Sequence, residues 1–153
     1  MRREIESLNE MSFELPQGWN VSKDKYNIVN GQGFINTENY ISPDGEVLSL
    51  FEVQRDPDEF FEHFHNLVQN YNEKQDGIVL AKQFNLSVND FSFPVYILKA
   101  TKMDIFIVHI FINCGDALGC FMFNIKNLYE KQKDTVAKDR LFSQVAKILR
   151  TVE

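Results

Sequence analysis

Ile105-Phe106-Ile107-Val108-His109-Ile110-Phe111-Ile112 is the feature that most narrows what this chain can fold into. Every residue except His109 is β-branched or a phenylalanine, so the run favours a strand. A strand with one wet face alternates apolar with polar residues. Here both parities are apolar, which predicts an interior strand covered on both faces. Such a strand needs neighbours on each side and a layer above and below. The chain has 153 residues, the length of one domain, and its 14 phenylalanines predict a core rich in rings.

Flanking segments supply the rest. The first ten residues are polar and mixed in charge, and are expected to form an arm or short helix outside a domain spanning residues 11–153. Ser12-Phe13-Glu14-Leu15-Pro16 alternates and then stops at proline, a short strand before the Gln17-Gly18-Trp19 turn. Asn30-Gly31, midway between Tyr26 and Thr37, signals a hairpin, and Ser42-Pro43-Asp44-Gly45 a second turn leading into a strand over Val47–Val53. At Asp56-Pro57-Asp58-Glu59 a helix begins. Asp56 caps it, Pro57 suits the first helical position, and Glu59 completes a capping box. Phe60, Phe64, Leu67, Val68 and Tyr71 fall on one face of this helix, which should run to about Lys74 and end at Gln75-Asp76-Gly77. Strands follow at Ile78–Val88, Pro94–Lys102, Ile105–Asn113 and Leu118–Lys126. From Asp134 to Val152, a second amphipathic helix gathers Ala137, Leu141, Val145, Ile148, Leu149 and Val152. This order predicts a single α+β domain, a largely antiparallel sheet flanked by two main amphipathic helices.

The chemistry is narrowed mainly by what is missing. With 22 acids against 16 bases the net charge is −6, which argues against nucleic acid and anionic membranes as partners. No apolar stretch approaches the ~20 residues of a membrane helix, and the start lacks the apolar core of a secretory signal, so a cytoplasmic protein is expected. His63 and His65 would point about 200° apart on a helix and cannot share a metal. Gly31-Gln32-Gly33 lacks the third glycine of a nucleotide loop, since position 36 is Asn. Asp56, Asp58, Glu59 and Glu62 are explained by the positive end of a helix dipole. No catalytic residue, metal ligand or cofactor site is nominated, and the protein is not expected to be an enzyme.

A hairpin centred on Ala117 would pair Cys114 with Cys120, Phe111 with Phe123, and His109 with Ile125. His109 would then share a face with Ile107, Phe111, Phe121 and Phe123, as a core histidine before a catalytic one. The spacing of the cysteines fits neither a zinc ribbon nor a redox Cys-x-x-Cys. Two free thiols are expected, with a redox-sensitive cross-strand pair as the alternative.

Phe13-Glu14-Leu15-Pro16-Gln17-Gly18-Trp19, then Asn27-Ile28-Val29, Arg55-Asp56, an amphipathic helix, a strand meander and a closing helix from Leu141-Phe142 to Val152 resemble the PsbP-like superfamily. That superfamily includes photosystem PsbP proteins, Ran-binding Mog proteins, DcrB-type envelope proteins and the Eag-type chaperones of bacterial type VI secretion. The chain is similar in character to the Eag-type chaperones, which are cytoplasmic, acidic and without cofactors. The resemblance implies a chaperone-like domain that grips an apolar segment of another polypeptide, such as a secreted effector, and forms homodimers. Trp19 is expected to pack over a core edge.

In the Ala117-centred register, the face opposite His109 carries Val108, Ile110, Ile112, Cys114, Cys120 and Met122. If both helices cover the other face, this one keeps an apolar patch, and Val108, Ile110, Ile112 and Met122 are the candidate binding residues. The competing reading is a small-molecule binder or uncharacterised enzyme with an aromatic pocket near His109. A third is an immunity or regulatory protein that blocks a partner through its acidic surface.

Overall fold

The computed structural model of the chain describes residues 1–22, 33–53, 56–126, 136 and 139–153. Along them run β1 (Arg2–Ile5), a single 3-10 turn (Glu6–Leu8), β2 (Met11–Glu14), β3 (Asn20–Ser22), β4 (Phe34–Ile41) and β5 (Val47–Val53). Helices α1 (Pro57–Gln69) and α2 (Glu73–Asp76) come next. Then follow β6 (Ile78–Val88), β7 (Phe91–Ala100), β8 (Ile105–Cys114), β9 (Ala117–Lys126) and α3 (Arg140–Leu149). Strands β3 to β9 form one antiparallel sheet in the order β3-β4-β5-β9-β8-β7-β6, and β1 pairs only with β2. The apolar run is therefore interior, with β9 on one side and β7 on the other, and both its faces are covered.

The first helix starts as its sequence dictates. The Asp56 side chain accepts from the backbone N–H groups of Asp58 and Glu59 at 3.1 Å, with Pro57 at the first helical position. It stops earlier than the expected Lys74. The Asn72 side chain accepts from the Lys74 and Gln75 N–H groups, opening a separate turn that Gly77 closes at φ 68°. Asparagine can compete for backbone donors in this way, and here it breaks the helix.

Three other expectations change. The first ten residues are not an arm: β1 pairs along β2, and Ile5 and Leu8 are buried. Leu8 sits so close over β9 that a Cβ on Gly119 would lie 2.9 Å from its Cδ1. The closing helix begins at Arg140, with the Asp139 side chain accepting from the Leu141 N–H at 2.9 Å. The β8–β9 turn is Gly115-Asp116, not a loop centred on Ala117. Gly115 has φ 80°, the first central position of a type II′ hairpin, so Cys114 lies opposite Ala117 and His109 opposite Met122. An odd shift in pairing turns every β9 side chain to the other face. The Asn30-Gly31 hairpin lies outside the described residues.

The two faces are covered by different layers. Over one lie α3 and the β1–β2 hairpin, burying Phe106, Val108, Ile110 and Ile112 of β8 with Phe121, Phe123 and Ile125 of β9. From α3 come Leu141, Phe142, Val145, Ile148 and Leu149; Trp19 packs at this core's edge. The termini knit together, since Ser12 and Glu153 exchange backbone hydrogen bonds of 3.1 and 2.9 Å. Arg3 pairs with Glu38, which also accepts from the Tyr40 hydroxyl at 2.6 Å, tying the hairpin to β4. Over the other face lies α1.

Candidate functional site beside helix α1

Phe60, Phe64 and Val68 point from α1 into the sheet and are buried. Phe64 stands edge-on to Tyr96 at 5.3 Å and to Phe111 at 5.0 Å, while Phe60 meets Phe34 at 5.0 Å. Each such ring contributes about 1.5–3 kcal/mol by leaving water, plus about 0.5–1.5 kcal/mol per well-placed aromatic pair. This is ample to hold a short helix against the sheet.

Phe61 lies off that stripe. Half-buried, it packs edge-on against Phe111 at 5.5 Å and Tyr96 at 5.9 Å. Between it and the β8–β9 hairpin end runs a groove of about 470 Å³. Phe111, Leu118 and Pro94 form its apolar floor and far wall, and Asn113 marks its end on β8. His65, one turn beyond Phe61, shares a 2.6 Å hydrogen bond between its Nδ1 and the Tyr96 hydroxyl. Asp58 and Glu62 line the solvent side.

A second groove, of about 780 Å³, includes Phe51, Ile107 and Met122 in its lining, with Asp44, Glu46, Lys126 and Asp139 among its polar residues. Arg140 pairs with Asp44 at 2.5 Å and with Glu46 at 3.3 Å, so part of this acidic rim is already neutralised.

The four residues expected to bind a partner do not share a face. Val108, Ile110 and Ile112 are core residues beneath α3 and the N-terminal hairpin. Met122 is on the opposite side, across from His109, where it lines the second groove. The expected apolar patch is thus replaced by a closed core on one face and the groove beside α1 on the other, while the second groove also reaches Phe123, Ile125 and Asp139 near the start of α3. Phe61, His65, Phe111 and Leu118 are the residues that sequence reasoning did not bring together. Their signal was an aromatic residue outside the helix stripe with a histidine four positions on.

His109 lies on the α1 face, as does Phe111, but its neighbours across the hairpin are not Phe121 and Phe123. It packs at 5.4 Å against Phe64, is buried, lines neither groove, and its Nδ1 has no hydrogen-bond partner among the described residues. Burial drives its pKa down to about 4, outweighing backbone groups of Ile107 and Tyr96 that favour the charged form. The cysteines are free and face opposite sides: Cys114 packs against the α3 core and Cys120 against the α1 core. Burial raises Cys114 to about 11 and Cys120 well above the usual thiol range, so neither is a thiolate at neutral pH. Among the described residues no group of three or more His, Cys, Asp or Glu could hold a metal, and no helix is long and apolar enough to cross a membrane.

The sequence matches no family model and no curated protein. Solved structures do resemble it. The solution structure of the cyanobacterial PsbP protein CyanoP from Synechocystis sp. PCC 6803 aligns with a TM-score of 0.59 over 100% of this chain and 91% of its own, at 12% identity. A crystal structure of a protein from Bacteroides thetaiotaomicron VPI-5482 aligns at 0.53 over 99% of this chain, also at 12% identity. This chain spans about half, 47%, of that protein's length. Likeness at such identities is one of architecture. The chain has the PsbP-like fold, as the Leu15-Pro16-Gln17-Gly18-Trp19 segment and the order of elements implied.

Proposed function

We propose that this domain is a chaperone-like binding protein, not an enzyme, which holds an apolar segment of another polypeptide in the groove between α1 and the β8–β9 hairpin. The observation that carries the reading is the apolar groove that α1 leaves open, where half-buried Phe61 and Pro94 stand over the buried edges of Phe111 and Leu118. Apolar surface left in water forgoes about 25 cal/mol per Å², a gain that a partner's side chains recover on docking. The similarity in character to the Eag-type chaperones supports the same reading. The compartment that this similarity implies is the cytoplasm. A small-molecule site at His109 has less to support it, because Phe64 packs on that ring and neither groove reaches it.

Phe61→Ser removes the groove wall while leaving Phe60 and Phe64 in the core. An apolar helical peptide followed by fluorescence anisotropy should lose about tenfold in affinity, the ~1.4 kcal/mol of a contributing interface residue. Unchanged affinity, with circular dichroism confirming the fold, would refute the groove as the binding site.

A further inference from the structure

Resting on that groove reading, we infer that the occupant is a polypeptide segment with lysine or arginine along one edge of its apolar surface. The groove has one charged side. Asp58 and Glu62 line it from α1, both exposed and four residues apart, which sets them about 6 Å apart along the helix axis. Neither carboxylate has a cationic partner among the described residues, in contrast to Asp44 and Glu46, which Arg140 occupies. No lysine or arginine is among the described residues that line the groove, and its far wall is the uncharged Pro94, Leu118 and Asn113.

These features sort the occupants. An anionic amphiphile, such as a fatty acid, would lay its carboxylate near two others with no cation to receive it. A purely apolar segment would fill the floor but leave the Asp58–Glu62 rim unused. A segment whose apolar side chains meet Phe61, Phe111 and Leu118, with a basic side chain every turn on the α1 side, satisfies both. Exposed ion pairs are individually weak, about two- to fivefold in affinity each. The rim therefore selects among apolar partners while the floor supplies most of the binding. Opposite charge also speeds encounter, an effect that fades with salt.

Three fluorescein-labelled Leu/Ala helical peptides test this, carrying at one edge two lysines, two glutamines or two glutamates four residues apart. The lysine peptide should bind the wild-type domain at least fivefold more tightly than the glutamine peptide, and the glutamate peptide more weakly still. Asp58→Asn with Glu62→Gln should abolish that ranking and its salt dependence. Equal binding of all three peptides, or a ranking untouched by the double variant, overturns the charge inference and leaves the groove reading standing. If none of the three peptides binds, or Phe61→Ser weakens none of them, the groove reading fails and the inference with it. Tighter binding of laurate than of the lysine peptide would overturn the inference in favour of an anionic small molecule.

Discussion

The two faces of the sheet are built from the same strands yet finished differently. Under α3 and the β1–β2 hairpin, Val108, Ile110, Phe121 and Val145 are wholly sealed. On the other side, α1 seals Phe34, Phe60, Phe64 and Phe111 but leaves Phe61, Ile107 and Met122 only half-buried. A layer made of a helix, a hairpin and both termini closes a face, whereas one 13-residue helix does not. What a single helix leaves uncovered is where this fold has room to hold something.

Stability should divide along that line. Phe121→Ala removes a ring packed edge-on to Phe13 at 5.4 Å and should cost about 3–5 kcal/mol. Phe61→Ala, at the groove wall, should cost about 1 kcal/mol, for a half-exposed ring forfeits little transfer energy. Urea denaturation of the two variants measures the contrast, and similar losses would erase it.

His109 gives the α1 face a dependence on acid. Its folded pKa of about 4 lies below the ordinary 6.5, so above pH 6.5 both folded and unfolded chains carry it neutral. Between about pH 6.5 and 4 the unfolded chain takes up a proton that the folded one resists, and stability falls as pH is lowered. The loss should reach roughly 3 kcal/mol by pH 4. His109→Phe should flatten that limb, read from denaturation midpoints across this range; an unaltered pH profile would show that His109 is not the cause. Smaller again, Asp56→Ala should cost about 1 kcal/mol by uncapping α1. Faster amide exchange confined to α1 would mark the loss as local.

Much of this was legible in the residues. The doubly apolar run at 105–112 required an interior strand, and Asp56-Pro57 required a helix start, because those signals act locally and lack a competitor. The register of β8 with β9 has a signal in the sequence that competes with the symmetry of the two cysteines. Gly115 suits the first central position of a II′ turn, and weighing it above that symmetry puts Met122 beside His109. Among the four expected binding residues, the turn decides only the facing of Met122. Val108, Ile110 and Ile112 lie opposite His109 in either register, and they are core because α3 and the β1–β2 hairpin cover that face while α1 covers the other. β1 was missed for another reason: Arg2-Arg3-Glu4-Ile5 buries only Ile5, and its strand character comes from pairing with β2. The groove itself depends on where the first turns of α1 lie relative to the hairpin tip, a tertiary distance that no local pattern encodes.

The central claim is that binding occurs beside α1 and not on the face under α3. Methyl-labelled NMR during titration with the lysine-edged peptide tests it most directly. The Leu118 methyl resonances should shift, while those of Val108, Ile110, Ile112 and Val145 stay in place. Shifts concentrated in the latter four, with Leu118 unmoved, would contradict the account.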